Sequence, residues 1–257
     1  MGSYSGGDAC NNIYYIILCG GGCIRKQALG AMILDRTIYL VRHGETVLNA
    51  ARIKQSSEGL LSDNGVLQVE ATALRLANFN IKKIYSSPFE RAVQTSNIIK
   101  SIIDTKNTIT IEYSDLLAER RNPTSIIGVS YDDQHTTEAV NFMDKSFHEA
   151  DARLEDEENF TDLKTRALAL QKFIADNAKD KSLFVSHGIF LKMFLSVCIY
   201  GKDLSVENYI KLSVFNPAEN AGLTVIKYSP IKVMLGGNGW QVLAYNDGNA
   251  AVPSASV

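Results

Sequence analysis

From Thr37 onward the chain alternates short apolar runs with longer amphipathic ones, and that alternation limits the fold more than any other feature. The short runs Thr37–Val41, Lys83–Ser86, Thr108–Glu112, Ser182–Ser186 and Gly222–Lys227 predict strands, with a last pair at Lys232–Leu235 and Trp240–Tyr245. The longer runs predict helices over Asn64–Asn78, Phe89–Asp104, Thr136–Ala150, Thr161–Asn177 and Ile189–Tyr200. Ser62 and Thr161 read as N-caps of the first and fourth. Strands separated by helices of this length pair in parallel, because a parallel return needs a crossover that can hold a helix. The expected fold class is α/β: three layers, α/β/α, with a mostly parallel sheet and an antiparallel edge made by the closing pair. In such sheets, ligands bind beyond the carboxyl ends of the strands.

The flanks read differently. Residues 1–31 show no sustained period, and Gly20-Gly21-Gly22 lacks the Gly-Lys-Ser/Thr that a phosphate loop requires. They are expected to be an N-terminal extension, flexible or non-native. Met32 would open a domain over 32–249, and 250–257 would be a C-terminal tail. Three of the four cysteines, Cys10, Cys19 and Cys23, precede that domain, and Cys198 alone lies in its body. A secreted disulfide scaffold spreads its cysteines through the fold, so a reducing, cytoplasmic compartment is expected. No Cys or His pair at zinc-like spacing follows Cys19 and Cys23, and no metal is expected. No run approaches the ~20 apolar residues of a membrane helix, and Ile13–Cys19 has no basic segment before it. A net charge of −2 argues against nucleic acid as a partner. A small anionic ligand is compatible with that charge, since a few arginines in one pocket barely move the total.

Polar clusters follow four of the predicted strands. They are Arg42-His43-Gly44-Glu45-Thr46, then Ser86-Ser87-Pro88-Phe89-Glu90-Arg91-Ala92-Val93-Gln94-Thr95, then Leu116-Leu117-Ala118-Glu119-Arg120, then Ser186-His187-Gly188. The residue types share a chemical logic. A phosphate dianion needs fixed positive donors, and the forked N–H groups of Arg42 and Arg91 match its oxygens. An imidazole with one free nitrogen can attack phosphorus and carry the phosphoryl group, dividing hydrolysis into two steps. A second, protonated histidine would donate to the equatorial oxygens. The leaving alkoxide needs a proton from a carboxylic acid, and a nearby phosphate disfavours a second anion there. A glycine after each histidine lets the backbone approach closely.

The motifs at 42–46, 86–95 and 186–188, in this order and each after a predicted strand, resemble those of the histidine phosphatase superfamily, the phosphoglycerate mutase-like proteins. The resemblance runs from about residue 37 to about 190, and more loosely to Trp240–Asp247. It implies phosphomonoester hydrolysis through a phosphohistidine on His43, without cofactor or metal. It also implies a phosphate pocket of Arg42, Arg91 and His187, with Gly188 and Asn49 touching substrate and Glu119 as proton donor. In many members the segment after Asn49 ends Arg-x-Gln-Gly; here it is Arg52-Ile53-Lys54-Gln55-Ser56, so Gln55 is kept and Ser56 replaces glycine. Phosphoglycerate mutases carry Glu-Arg-His-Tyr-Gly where this chain has Glu119-Arg120-Arg121-Asn122-Pro123. The resemblance therefore favours a phosphatase acting on a small phosphorylated metabolite. Mutase-type phosphoryl transfer and a non-catalytic phosphate-binding module stand as alternatives.

The segment from about 122 to 159 is expected to form a helical cap insertion over the mouth. Arg120 and Arg121 beside it would favour a second anionic group. Taken singly, Glu119 also reads as a solvated partner of Arg120, and the run Glu155-Asp156-Glu157-Glu158 as a solvated loop. His135 and His148 lack motif context and read as exposed helix residues. Cys198 reads as a small buried hydrophobe. Oligomeric state is left open.

Overall fold

A computed structural model describes residues 34–147, 149, 152–215 and 218–248. The readings of residues 1–31, of the tail at 250–257, of His148 and of Cys10, Cys19 and Cys23 lie outside the described residues. The elements below belong to the unit that begins at Asp35.

Strands β1 (Arg36–Arg42), β2 (Lys83–Ser86), β3 (Ile111–Tyr113), β4 (Ser182–Ser186), β5 (Leu223–Tyr228) and β6 (Trp240–Asp247) form one six-stranded sheet. Their order is β3-β2-β4-β1-β5-β6. β1 to β4 run parallel, β5 is antiparallel to β1, and β6 is antiparallel to β5. The helices are α1 (Val47–Ala50), α2 (Asp63–Leu76), α3 (Glu90–Ile103), α4 (Gln134–Ser146), α5 (Phe160–Asn177), α6 (Gly188–Tyr200), α7 (Val206–Phe215) and α8 (Pro230–Met234).

The period of two along β1 divides the interior. Ile38 and Leu40 join a core with Leu163, Ala167 and Leu170 of α5 and Phe190, Met193 and Phe194 of α6. Tyr39 and Val41 join the opposite core, with Val69, Ala73 and Leu76 of α2 and Ala92 and Ile99 of α3. Every residue of β4 is buried, as a strand covered on both faces must be. Each fully buried leucine or isoleucine contributes about 1.5–3 kcal/mol, so the two cores hold the three layers together. The register pairs Arg42 with Ser186, and Ser86 with both Val185 and Tyr113. The segments leaving β1, β2, β3 and β4 therefore emerge side by side on one edge.

Several elements differ from the sequence reading. Lys232–Leu235 is not a strand: Pro230 stands at the first helical position, its fixed φ suits a helix start, and α8 forms instead. The partner of β6 is β5. The third strand begins late, because the Asp104 carboxylate accepts the Thr108 and Ile109 N–H groups at 2.8 and 2.7 Å. The N-cap of α5 is Asn159 rather than Thr161; Asn159 and Asp162 form a reciprocal capping box. Ser62 does cap α2, accepting from the Gly65 N–H at 3.0 Å. α1, α7 and α8 were not foreseen.

The acidic run is only partly solvated. Glu157 is 1% exposed and pairs with Arg120 at 3.0 Å, and Glu158 pairs with Arg166 of α5 at 2.7 Å. Removing one member of so buried a pair typically costs about 3–5 kcal/mol, because the other charge is left uncompensated. Between β3 and α5, a short turn at Thr124–Ile126 and α4 share a small core of Ile126, Ala139 and Met143, with Leu154 against it. Residues 52–54 tie this layer to the segment after β1. Ile53 bridges Ser130, the Lys54 N–H donates to the Val129 carbonyl at 2.9 Å, and the Gly128 N–H donates to the Lys54 carbonyl at 2.8 Å. His135 is exposed, and Cys198 is buried.

Candidate active site

His43 leaves β1 with its N–H on the Ser186 carbonyl at 3.0 Å. Its Nδ1 lies 2.7 Å from the Gly44 carbonyl, which can only accept. Nδ1 therefore carries the proton and Nε2 the lone pair. The Arg91 Nε–H lies between the two histidines, 3.3 Å from His43 Nε2 and 3.2 Å from His187 Nδ1. His187 Nδ1 accepts there, so its Nε2–H donates to Ser87 Oγ at 2.8 Å. The two rings stand 5.1 Å apart between centroids.

The neighbouring donors are fixed by local structure. Arg91 lies in the first turn of α3, and its Nη1 donates to the Ser56 carbonyl at 2.7 Å. Arg42 ends β1 and donates to the Ala218 carbonyl, while its buried Nε has no partner among the described residues. Thr46 caps α1: its hydroxyl accepts from the Asn49 N–H at 3.0 Å and donates to Gln55 Oε1 at 3.0 Å. Asn49 Oδ1 is buried without a partner among the described residues. An amide flip would present its NH₂ at the same place.

A cavity of about 760 Å³ opens over this cluster, lined by Arg42, His43, Asn49, Gln55, Ser56, Arg91, Glu119 and Gly188 among the predicted site residues. His187, 0% exposed, sits behind the lining. Asn122, Thr124, Ile127, Tyr131, Asp156 and Glu158 also line the cavity.

Charge explains the protonation states. Burial, then Arg91 and Arg42, hold the His43 imidazolium form well below its ordinary range, with the Gly44 carbonyl opposing. Burial, then Arg91, hold His187 well below as well. The sequence reading has His187 protonated, whereas this arrangement has it accept from Arg91, and burial with Arg91 disfavours its imidazolium form. Burial also pushes Arg91 down to about 10, opposed by Glu119, so it stays protonated at neutral pH.

The linkage has a definite sign. In the unfolded chain both histidines protonate as pH falls through about 6.5, whereas in the fold they stay neutral, so the unfolded state binds more protons there. Their contribution is complete above that pH and is lost below it. The urea midpoint is expected to drop between pH 7 and pH 5, and by less in His187→Asn. An equal drop in both proteins would remove His187 from this account.

Glu119 is not a partner of the Arg120 side chain, whose Nη2 goes to Glu157. Its Oε1 accepts from the Arg120 and Phe190 N–H groups at 2.8 and 3.0 Å, and its Oε2 from the Ile189 N–H at 3.2 Å. The carboxylate thus caps the first turn of α6, where backbone donors have no helical partner. Arg166 holds the segment before it, donating to the Ala118 carbonyl at 2.6 Å and the Glu119 carbonyl at 3.3 Å.

The glycines serve packing between protein groups. A Cβ on Gly44 would stand 2.5 Å from the Gly65 carbonyl, and one on Gly188 would stand 3.2 Å from Arg42 Nε. Arg166 carried no signal in the sequence as a site residue, because its contacts to the Ala118 and Glu119 carbonyls span 48 and 47 positions. Ser87 and Thr95 stood within the quoted motif without an assigned part. Thr95 Oγ1 accepts from the Gly44 N–H at 3.2 Å and donates to the Arg91 carbonyl at 2.7 Å.

The sequence model of the histidine phosphatase superfamily (branch 1) matches residues 38–247. The chain belongs to that superfamily. Among curated relatives, the probable phosphoglycerate mutase GpmB of Yersinia pestis (strain Pestoides F) is 29% identical over 215 residues, covering 82% of this chain and 92% of its own. YhfR of Bacillus stearothermophilus shares the fold with TM-score 0.66 at 23% identity, over 82% of this chain and 96% of that one. The mycobacterial glucosyl-3-phosphoglycerate phosphatase superposes with TM-score 0.64 at 18% identity, over 83% and 99%. This superfamily member is accordingly a phosphoryl-transfer enzyme of three-layer α/β fold. Among the described residues no helix is long and apolar enough to cross a membrane.

Proposed function

We propose that the protein hydrolyses phosphomonoesters of small phosphorylated compounds through a phosphohistidine on His43. The observation that carries this reading is the bond from His43 Nδ1 to the Gly44 carbonyl at 2.7 Å, which leaves the Nε2 lone pair beside the Arg91 guanidinium.

In the first step the Nε2 lone pair forms an N–P bond as the P–O ester bond breaks, and protonated Glu119 gives its proton to the leaving oxygen. In the second step Glu119, now a carboxylate, takes a proton from water; the water oxygen attacks phosphorus, the P–N bond breaks, and inorganic phosphate leaves. Arg42, Arg91 and Asn49 hold the phosphoryl oxygens, and the Arg42 Nε without a partner fits that part. Gln55, Ser56 and Gly188 shape the wall around the phosphate. His187 positions Arg91 from behind. The segment from about 122 to 159 acts as the cap that faces the remainder of the substrate.

Mutase-type transfer is the second reading, favoured by the name of the Yersinia relative. Against it, the chain has Arg121 and Asn122 in place of the His-Tyr pair of the mutases, and Arg121 donates from Nε to the Asp156 carbonyl. The test is turnover of p-nitrophenyl phosphate in excess chelator, alongside a phosphoglycerate isomerisation assay. Steady release of phosphate, unchanged by chelator, is the expected result. A requirement for added metal, or isomerisation faster than phosphate release, would overturn the proposal.

A further inference from the structure

Lys54 is not used by the chemistry above, and its position is unusual for a lysine. It is 8% exposed and lines the same cavity as His43 and Arg91. Lysines are almost never so buried without a partner. Its Nζ lies 4.6 Å from the centre of the Tyr131 ring and makes no ion pair or hydrogen bond with a described residue. The neighbouring cations are occupied: Arg120 by Glu157 and the Glu158 carbonyl, Arg121 by the Asp156 carbonyl. The backbone of Lys54 is fixed against the facing segment, its N–H donating to the Val129 carbonyl and its carbonyl accepting from the Gly128 N–H. A buried ammonium needs a counter-charge.

We propose that Lys54 recognises a second anionic group on the substrate, a carboxylate or a second phosphate on the part that leaves. This rests on the phosphomonoesterase reading, and it moves the predicted second-anion contact from Arg120 and Arg121 to Lys54. Burial, then Arg120, lower the Lys54 ammonium, with Asp144 and Glu119 opposing; an anion in the cavity acts in the same sense as those two carboxylates. The flat Tyr131 ring supplies a cation–π wall on one side and leaves the other donors of the ammonium to the ligand.

The experiment compares kcat/KM within matched pairs: 3-phosphoglycerate against glycerol 3-phosphate, and propane-1,3-diol bisphosphate against its monophosphate. The wild-type protein is expected to prefer the more anionic member of at least one pair by roughly tenfold or more. In Lys54→Met that ratio should collapse toward one, while Lys54→Arg retains part of it. Lys172→Met, on the exposed face of α5, is the control that leaves the ratios unchanged. A collapse confined to the first pair assigns a carboxylate, and one confined to the second assigns a phosphate. Absence of any preference in the wild-type protein, or a preference that survives in Lys54→Met, overturns the proposal. If Lys54→Met does not fold, Lys54→Gln replaces it. If no monoester at all is turned over, the hydrolase reading fails instead, and the same pairs are compared as ligands by calorimetry; a ratio of Kd values near one, or one that survives the substitution, then overturns the subsite.

Discussion

His43→Ala is expected to lower turnover of p-nitrophenyl phosphate by about 10⁴-fold or more, because in the proposed mechanism it removes the atom that forms the N–P bond. The variant should nonetheless fold. His43 is buried and neutral, so its loss strands no charge, and its backbone bonds to Ser186 and Ala221 do not involve the ring. The hole left by the imidazole costs some stability, but Arg91 keeps its bonds to His187 and Ser56. Circular dichroism and inorganic phosphate binding would verify that fold and pocket survive. Wild-type protein quenched during turnover should carry one phosphoryl group that is labile in acid and stable in base, as a phosphoramidate is; His43→Ala should carry none. Retained activity in the variant, or a phosphoryl group elsewhere, would sink the mechanism.

How far the sequence revealed this site depends on the distance over which each contact acts. Arg42, His43 and His187 were legible because each stands at the end of a short apolar run, and Arg91 because it opens the helix that follows another; parallel pairing brings the ends of such runs to one edge. The register of Arg42 with Ser186, and of Ser86 with Val185, realises that expectation. The capping of α2 by Ser62 was legible for the same reason, since cap and helix are adjacent. The strand expected at Lys232–Leu235 failed where two local signals competed: a short apolar run with β-branched Val233 favours extension, but Pro230 fixes the first helical φ, and it prevailed.

Contacts between remote segments were not legible. The burial of Glu157 depends on Arg120, 37 positions away, and nothing in the run Glu155–Glu158 distinguishes that residue from its acidic neighbours. Lys54 reads as one more loop cation until the segment at 128–131 is laid against it. That the imidazolium form of His187 is disfavoured follows from its burial and from Arg91, which donates to it across 96 positions of sequence. Residue types were thus readable from local strings, while the hydrogen-bond partners of His187 and the burial of Lys54 arise from tertiary pairing.

Glu119→Gln separates the acid role from the capping role. The amide keeps an oxygen that can accept from the Arg120 and Phe190 N–H groups, and loses the acceptor for Ile189; one such bond is worth about 1 kcal/mol, so the start of α6 should hold. The chemical effect should be much larger and should depend on the leaving group. An alkyl phosphate expels a strongly basic alkoxide, and without a proton donor its kcat/KM is expected to fall about 10²–10⁴-fold. p-Nitrophenolate departs without help, so its kcat/KM, which reports only steps through formation of the phosphohistidine, should fall far less. Its kcat should still drop, because the proposed mechanism has the same carboxylate activate water in the second step. The phosphoenzyme would then accumulate, and stopped-flow traces should show a burst of about one p-nitrophenolate per protein before a slow steady rate, a consequence of covalent catalysis with a hindered second step. Equal loss of kcat/KM for both substrates, with no burst, would leave Glu119 as a helix cap only and return the search for the acid to the other groups lining the cavity.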